Sequence, residues 1–389
     1  MQLKYNIIKM YFLKGTVWFM VSMPIIVLFF KEHGLNLTEV MLLQAIYSLS
    51  IALFEIPSGY ISDIFGRKKS IVLSTILSFI GYLIFSLYSG FFAFAIAQVL
   101  LGIGGSLISG SDSALIYDTL LQIGKERNYT KIEGKNYAVG NFSEAIAGVI
   151  GGFLAAGSIY MPIYVETVVI FLSIPIALSL VEPQINFKNK LDKSFKAISE
   201  VIKFAIIDNK KLRWLIVYSS VMGVATLSMA WFTQPILIEI DIPVFYFGIL
   251  WAGLNISAGI TSINSYKFDR KAEHHINLIY FCLAMTVSFL ALAFNISIYS
   301  LIFILFIYLI RGIVTPILRN AINQNTSSNK RATVLSIRSF IIRISFAICA
   351  PFLGFISDNY SLNFSFYLLA IIIGFLSLLS AYKLSRLKY

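Results

Sequence analysis

Among the ionisable side chains inside stretches that are otherwise apolar, five could carry a proton or a charged solute. Lys14, Asp112 and Glu144 are in the first half of the chain, and Arg311 and Arg343 are in the second. A charge at the centre of a bilayer costs at least about 2.5–3.5 kcal/mol on insertion scales, so each such group must be paired, hydrated or functional. A carboxylate in low-dielectric surroundings favours its neutral acid, which is the property a proton carrier needs. The acids are segregated: no Asp or Glu falls inside an apolar stretch of the second half, which adds Arg338 to its cations. This predicts that Asp112 and Glu144 meet the arginines across a central cavity. Lys14 would neutralise one carboxylate, and the arginines would draw an anionic or zwitterionic solute. The competing reading is permanent ion pairing within each half. Glu166, in a stretch expected at the periphery, reads as structural. Trp18 and Asn255 are the expected cavity-lining residues, since apolar sites carry a few placed polar groups. Trp231 and Trp251 fall near the ends of their stretches, where tryptophan anchors at the interface.

Membrane-spanning helices must position these groups. The chain has 389 residues, 58% hydrophobic and 13% charged, against about 25% charged in soluble domains; its mean hydropathy is +0.81. Apolar windows near the length of a span occur at 8–30, 39–61, 69–89, 91–119, 136–157, 160–181, 213–238, 244–266, 276–294, 298–321, 333–357 and 362–384. They predict about twelve helices. The first window is too long for the apolar part of a signal peptide, lacks a small-residue cleavage site and carries Lys14, so it reads as a span. The net charge is +12, yet with both termini cytoplasmic 26 of the 31 Lys and Arg residues fall on one side. That asymmetry orients a protein in a lipid bilayer and argues against nucleic acid as a partner. One long polar interval, 184–212, sets Lys188, Lys193 and Lys196 among Phe187, Leu191 and Phe195. It predicts an amphipathic cytoplasmic linker on the inner leaflet, between six-span halves at 1–183 and 213–389.

Between the second and third windows the chain reads Gly59-Tyr-Ile-Ser-Asp63-Ile-Phe-Gly66-Arg67-Lys68-Lys69. Gly59 would let helices approach, Gly66 would allow a positive φ in the turn, and Arg67 to Lys69 would anchor at anionic headgroups. The run resembles the signature loop of the major facilitator superfamily, with Gly59, Asp63, Gly66, Arg67 and Lys68 at the family spacing. The resemblance implies an all-α integral membrane fold of two pseudo-symmetric six-helix halves working by alternating access. It also implies a latch in which Asp63 meets the start of the eleventh span. Glu55 to Gly59, Gly110 to Leu120 and Asn329 to Ser336 resemble one bacterial branch labelled as efflux permeases, which implies a plasma-membrane location. Two departures stand out. Gln98 occupies the place, four residues before Gly102, where proton-coupled members often carry arginine. Gly148-Val-Ile-Gly151-Gly152 keeps the paired glycines of drug–proton antiporters without their proline; small residues there permit close helix packing. A Gly354-Phe-Ile-Ser-Asp358 run, on the opposite face by this topology, reads as a chance likeness to Gly59–Asp63.

No His-Glu-x-x-His, Gly-x-Ser-x-Gly or P-loop run occurs, so the sequence predicts neither an enzyme nor a cofactor. Cys282 and Cys349 lie in apolar windows, and His33, His274 and His275 lack ligand spacing, so no metal is expected. The expected protein is a monomeric carrier taking a small-molecule substrate and protons. Efflux of an amphipathic compound is the first reading. Symport of an anionic or zwitterionic metabolite is the second, and a transporter-derived membrane sensor the third.

Overall fold

The computed structural model describes residues 3–183, 200–269, 274–327 and 330–387, with no strand among them. Most of the expected linker, at 184–199, therefore lies outside the described residues. The chain forms two compact units. One holds the residues within 1–35, 46–191 and 243–252, the other those within 36–45, 192–242 and 253–389. Among the described residues ten helical segments are long and apolar enough to cross a bilayer, and Leu278–Phe294 is a shorter apolar one.

The first unit contains α1 (Asn6–Val17), α2 (Ile26–Glu32), most of α3 (Leu37–Phe65), α4 (Arg67–Leu87), α5 (Phe91–Ile108), α6 (Ser111–Gln122), α7 (Tyr129–Gly157) and α8 (Met161–Ser179). Helix α1 packs on α6, α7 and α8, and α4 packs on α5 and α8. Met10, Leu13, Ile71, Leu115, Ile116 and Ala177 bring α1, α4, α6 and α8 into one core cluster. In lipid such contacts hold by close packing rather than by expulsion of water.

Two expected continuous spans are interrupted. The window 8–30 is helical only as α1 and α2, with residues 18–25 non-helical between them. Pro24 explains the break: it lacks an N–H, its ring crowds the preceding turn, and it biases Met23 away from helical angles. The window 91–119 divides into α5 and α6 at Gly110, which adopts φ +80°.

The second unit contains the start of α3, α9 (Lys210–Glu239), most of α10 (Phe245–Ile263), α11 (His274–Phe294), α12 (Ser300–Gln324), α13 (Arg331–Asn359) and α14 (Leu362–Arg386). Helix α9 packs on α12, α13 and α14, and α11 on α12 and α14. Asp358, at the end of α13, caps the start of α3. Its carboxylate accepts the backbone N–H groups of Leu37 at 3.1 Å and Thr38 at 2.7 Å, and the Thr38 hydroxyl at 2.6 Å. A helix N-terminus leaves such donors open and favours negative charge. The Gly354–Asp358 run read as coincidence thus has a structural task.

Three local expectations are corrected. Gly59 makes no close approach; a Cβ there would meet nothing within 4 Å. Trp231 and Trp251 are buried rather than interfacial, Trp251 lying against Gly148. Arg67 is only 8% exposed, so it is not at the headgroups. Lys69 is exposed as expected, and Lys68 is half-buried.

Candidate functional site

The signature loop builds a charged network in the first unit. Gly66 turns the chain at φ +103°, and a Cβ there would fall 2.9 Å from the Glu182 carboxylate. That carboxylate accepts the backbone N–H groups of Arg67 and Lys68, both at 2.7 Å, and so caps α4. The Arg67 guanidinium pairs with Asp63 at 2.7 Å and lies 3.6 Å from Asp118 on α6. It also donates to the Ser62 hydroxyl at 3.0 Å, which accepts from Ser111 at 2.9 Å. Asp63 is therefore paired to a cation four residues along its own segment. Burial favours this, because a guanidinium removed from water is costly without a partner. Glu182 and Asp118 are the members of this network whose roles sequence reasoning missed. The chain pattern offered only their acidic character at the ends of apolar windows.

A second cluster gathers around Lys14. Its ammonium pairs with Asp112 at 3.0 Å and sits 4.6 Å from the centre of the Trp18 ring. Asp112, in the first turn of α6, also accepts the Ser113 N–H at 2.7 Å. The Ser113 hydroxyl donates to Glu133, a residue that the sequence reading left in a loop. Helix α7 begins at Tyr129, which brings Glu133 onto a structured face. Glu133 Oε2 and both polar atoms of the fully buried Asn136, three residues on, have no hydrogen-bond partner among the described residues. Unpaired buried polar atoms mark where water or a ligand completes a site. Trp18 is half-buried, edge-on to Tyr137 at 6.2 Å, with Gly140 leaving room for its ring. Glu144 is half-buried on α7. Of the sequence-predicted residues, the fold thus joins Lys14, Asp112 and Trp18.

The glycines of α7 serve close contacts. A Cβ at Gly151 would fall 1.9 Å from the Val21 carbonyl oxygen, and one at Gly152 2.8 Å from the Gly248 nitrogen on α10. The break in the first span therefore rests directly on α7.

In the second unit a cleft is lined by Ser219, Met222, Thr226, Arg311, Thr315 and Arg338. Arg338 donates from Nε to the Ser219 hydroxyl, and Arg311 lies 5.6 Å from the Tyr308 ring. Among the described residues neither arginine has a carboxylate within 4.0 Å. Arg338, named from sequence only as a member of the arginine set, thus joins Arg311. Arg343 and Asn255 are half-buried on α13 and α10 and do not line this cleft. No group of three or more His, Cys, Asp or Glu able to hold a metal occurs among the described residues.

The sequence profile of the Major Facilitator Superfamily matches residues 9–329. The chain belongs to this superfamily. It is a multi-pass membrane transporter rather than an enzyme. It is similar to the uncharacterized MFS-type transporter YxaM of Bacillus subtilis (strain 168), with 25% identity over 361 residues that cover 90% of this chain and 88% of the relative. A shorter similarity, 26% over 141 residues or 36% of this chain and 35% of the relative, links it to the quinolone resistance protein NorA of Staphylococcus aureus (strain MRSA252). Among solved structures, a mutant of the nucleoside transporter NupG superposes with a TM-score of 0.79 at 12% identity, covering 100% of this chain and 99% of that one. At that identity the likeness is one of fold.

Proposed function

We propose that this superfamily member is a monomeric, proton-coupled carrier of the bacterial plasma membrane, with both termini cytoplasmic, that exports a small amphipathic compound by alternating access. The observation that carries the reading is the Lys14–Asp112 pair beside Trp18, with Glu133 reached through Ser113. This cluster holds two carboxylates and one ammonium. The excess of acid over base leaves a negative site that a cation on the solute would balance. The ring faces of Trp18 and Tyr137 suit an amphipathic solute, and a cation on the solute would compete with Lys14 for Asp112. The partial similarity to a quinolone resistance protein leans the same way.

The test is dye extrusion from proteoliposomes under an imposed pH gradient, using ethidium as the probe. Gradient-dependent movement in the wild type, lost in Asp112→Asn and reduced in Glu144→Gln, supports the reading; full activity in both variants, and in Arg343→Ala, removes it. A second reading, symport of an anionic or zwitterionic metabolite, is favoured by the Arg311–Arg338 cleft. Benzoate uptake into vesicles of right-side-out and inverted polarity separates the two directions.

A further inference from the structure

Glu166 on α8 is 1% exposed. No Lys, Arg or His nitrogen among the described residues lies within 4.0 Å of it. Its Oε2 accepts the backbone N–H of Ser22 at 2.7 Å, and the hydroxyls of Ser22 and Tyr82 also hydrogen-bond the carboxyl group. Ser22 belongs to the non-helical stretch 18–25 of the first span. The carbonyl of that same peptide group, Val21 O, is the atom pressed against Gly151. One peptide plane of the broken span is therefore held between a glycine of α7 and a carboxyl group of α8. Non-helical backbone at membrane depth persists only where protein or a cavity satisfies it, and carriers place their ion and substrate sites at such breaks.

We propose that Glu166 is a protonation site whose state sets how firmly the break in the first span is held. As a carboxylate it receives three donors. Burial disfavours the ion and the donors favour it, so two opposed effects act on one group. When a proton from water binds, the carboxyl gains an O–H and one neighbouring hydroxyl turns from donating to accepting. Serine and tyrosine hydroxyls do this freely; the Ser22 amide cannot. The hydrogen turned away from the carboxyl passes to the other hydroxyl, since Tyr82 and Ser22 are also in hydrogen-bond contact, so neither state leaves a buried orphan. The bond to Ser22, however, falls from charge-assisted to neutral, roughly half its strength. The Val21–Ser22 peptide loosens, and with it the segment that begins at Trp18.

The neighbouring titratable groups are accounted for. Helix α4 contributes Tyr82, with Tyr47 of α3 beside it. On α1, Lys9 is spent on the Ser179 carbonyl and Lys14 on Asp112. On α7, Glu133 is bonded to Ser113, and Glu144 is half-buried. The His33 ring packs on Phe29, Phe94 and Tyr160. This inference deepens the proton-coupled reading, and its test needs neither substrate nor gradient. Failure here therefore removes Glu166 and leaves the carrier, whereas failure of dye extrusion leaves Glu166 standing.

The test uses the full chain in detergent micelles. The infrared difference spectrum between acidic and alkaline buffer should show a protonated carboxylic C=O band in the wild type that Glu166→Gln lacks. Tyr82→Phe removes one donor to the anion and should move the midpoint of that band about one pH unit toward alkaline. With Trp214, Trp231 and Trp251 replaced by phenylalanine, Trp18 emission should follow the same midpoint and become pH-independent in Glu166→Gln. A band that persists unchanged in Glu166→Gln, or a Tyr82→Phe midpoint equal to the wild type, overturns the proposal. The second result decides alone if Glu166→Gln does not fold.

Discussion

The two units handle buried charge in opposite ways. In the first, the cations of the bundle are met by acids: Lys14 by Asp112, and Arg67 by Asp63 and Asp118. In the second, Arg311 and Arg338 share a cleft whose polar lining is hydroxyl, and Arg338 rests on Ser219. A network closed on itself is a structural asset, and breaking it is costly because a buried charge is left behind. Guanidinium groups with neutral partners keep their charge locally uncompensated. The difference teaches that intramembrane charge has two distinct uses in this chain. Ion pairing closes charge within the first unit, while in the second two guanidinium groups share a cleft with hydroxyl side chains.

The largest effect expected on this contrast comes from Arg67→Ala. It removes the guanidinium shared by Asp63 and Asp118 and should lower stability by about 3 kcal/mol, visible as a large fall in Tm in detergent. An unchanged Tm would show that the signature network contributes nothing to the fold. Next comes Gly151→Ala, which places a methyl group on the Val21 carbonyl. It should cost about 1–3 kcal/mol by overpacking and shift Trp18 emission. The Lys14–Asp112 pair is measured by a double-mutant cycle. Lys14→Met alone should destabilise by about 2 kcal/mol, and adding Asp112→Asn should recover part of that loss; strict additivity would break the assigned pairing.

On the other side of the comparison, Arg311→Ala and Arg338→Ala should each change stability by less than about 1 kcal/mol, since no ion pair is lost. They should instead abolish any rise in Tm that sulfate or benzoate gives the wild type. A fall in Tm as large as that of Arg67→Ala would erase the distinction between the units. The smallest effect belongs to Gly59→Ala. With open space at its Cβ position, alanine should be neutral or raise stability by about 0.5–1 kcal/mol through helix propensity.

The class of fold was legible because bilayer thickness writes itself into window length, and the signature loop carries its own turn chemistry at Gly66. The first-span break was written too: Pro24 lies in the middle of the window 8–30, where apolar composition masked it. What sequence could not show was partnership. Arg67 among lysines reads as a headgroup anchor, and only the approach of Asp118, 51 positions later, makes it interior. Glu133 sits between Lys131 and Lys135, so local charge argued for a solvated loop. Glu166 read as structural because its stretch was expected at the periphery; its partners, Ser22 and Tyr82, come from two other elements. Hydrogen-bond pairing over such separations leaves no periodicity to read.

Glu182 also has a mechanical side. One carboxylate ties the stretch after α8 to the first two amides of α4, and two residues later the chain enters the connecting interval 184–199. Glu182 is thus a clamp as well as a cap: it fixes the stretch after α8 to the backbone that carries Arg67, so Glu182→Ala frees both at once.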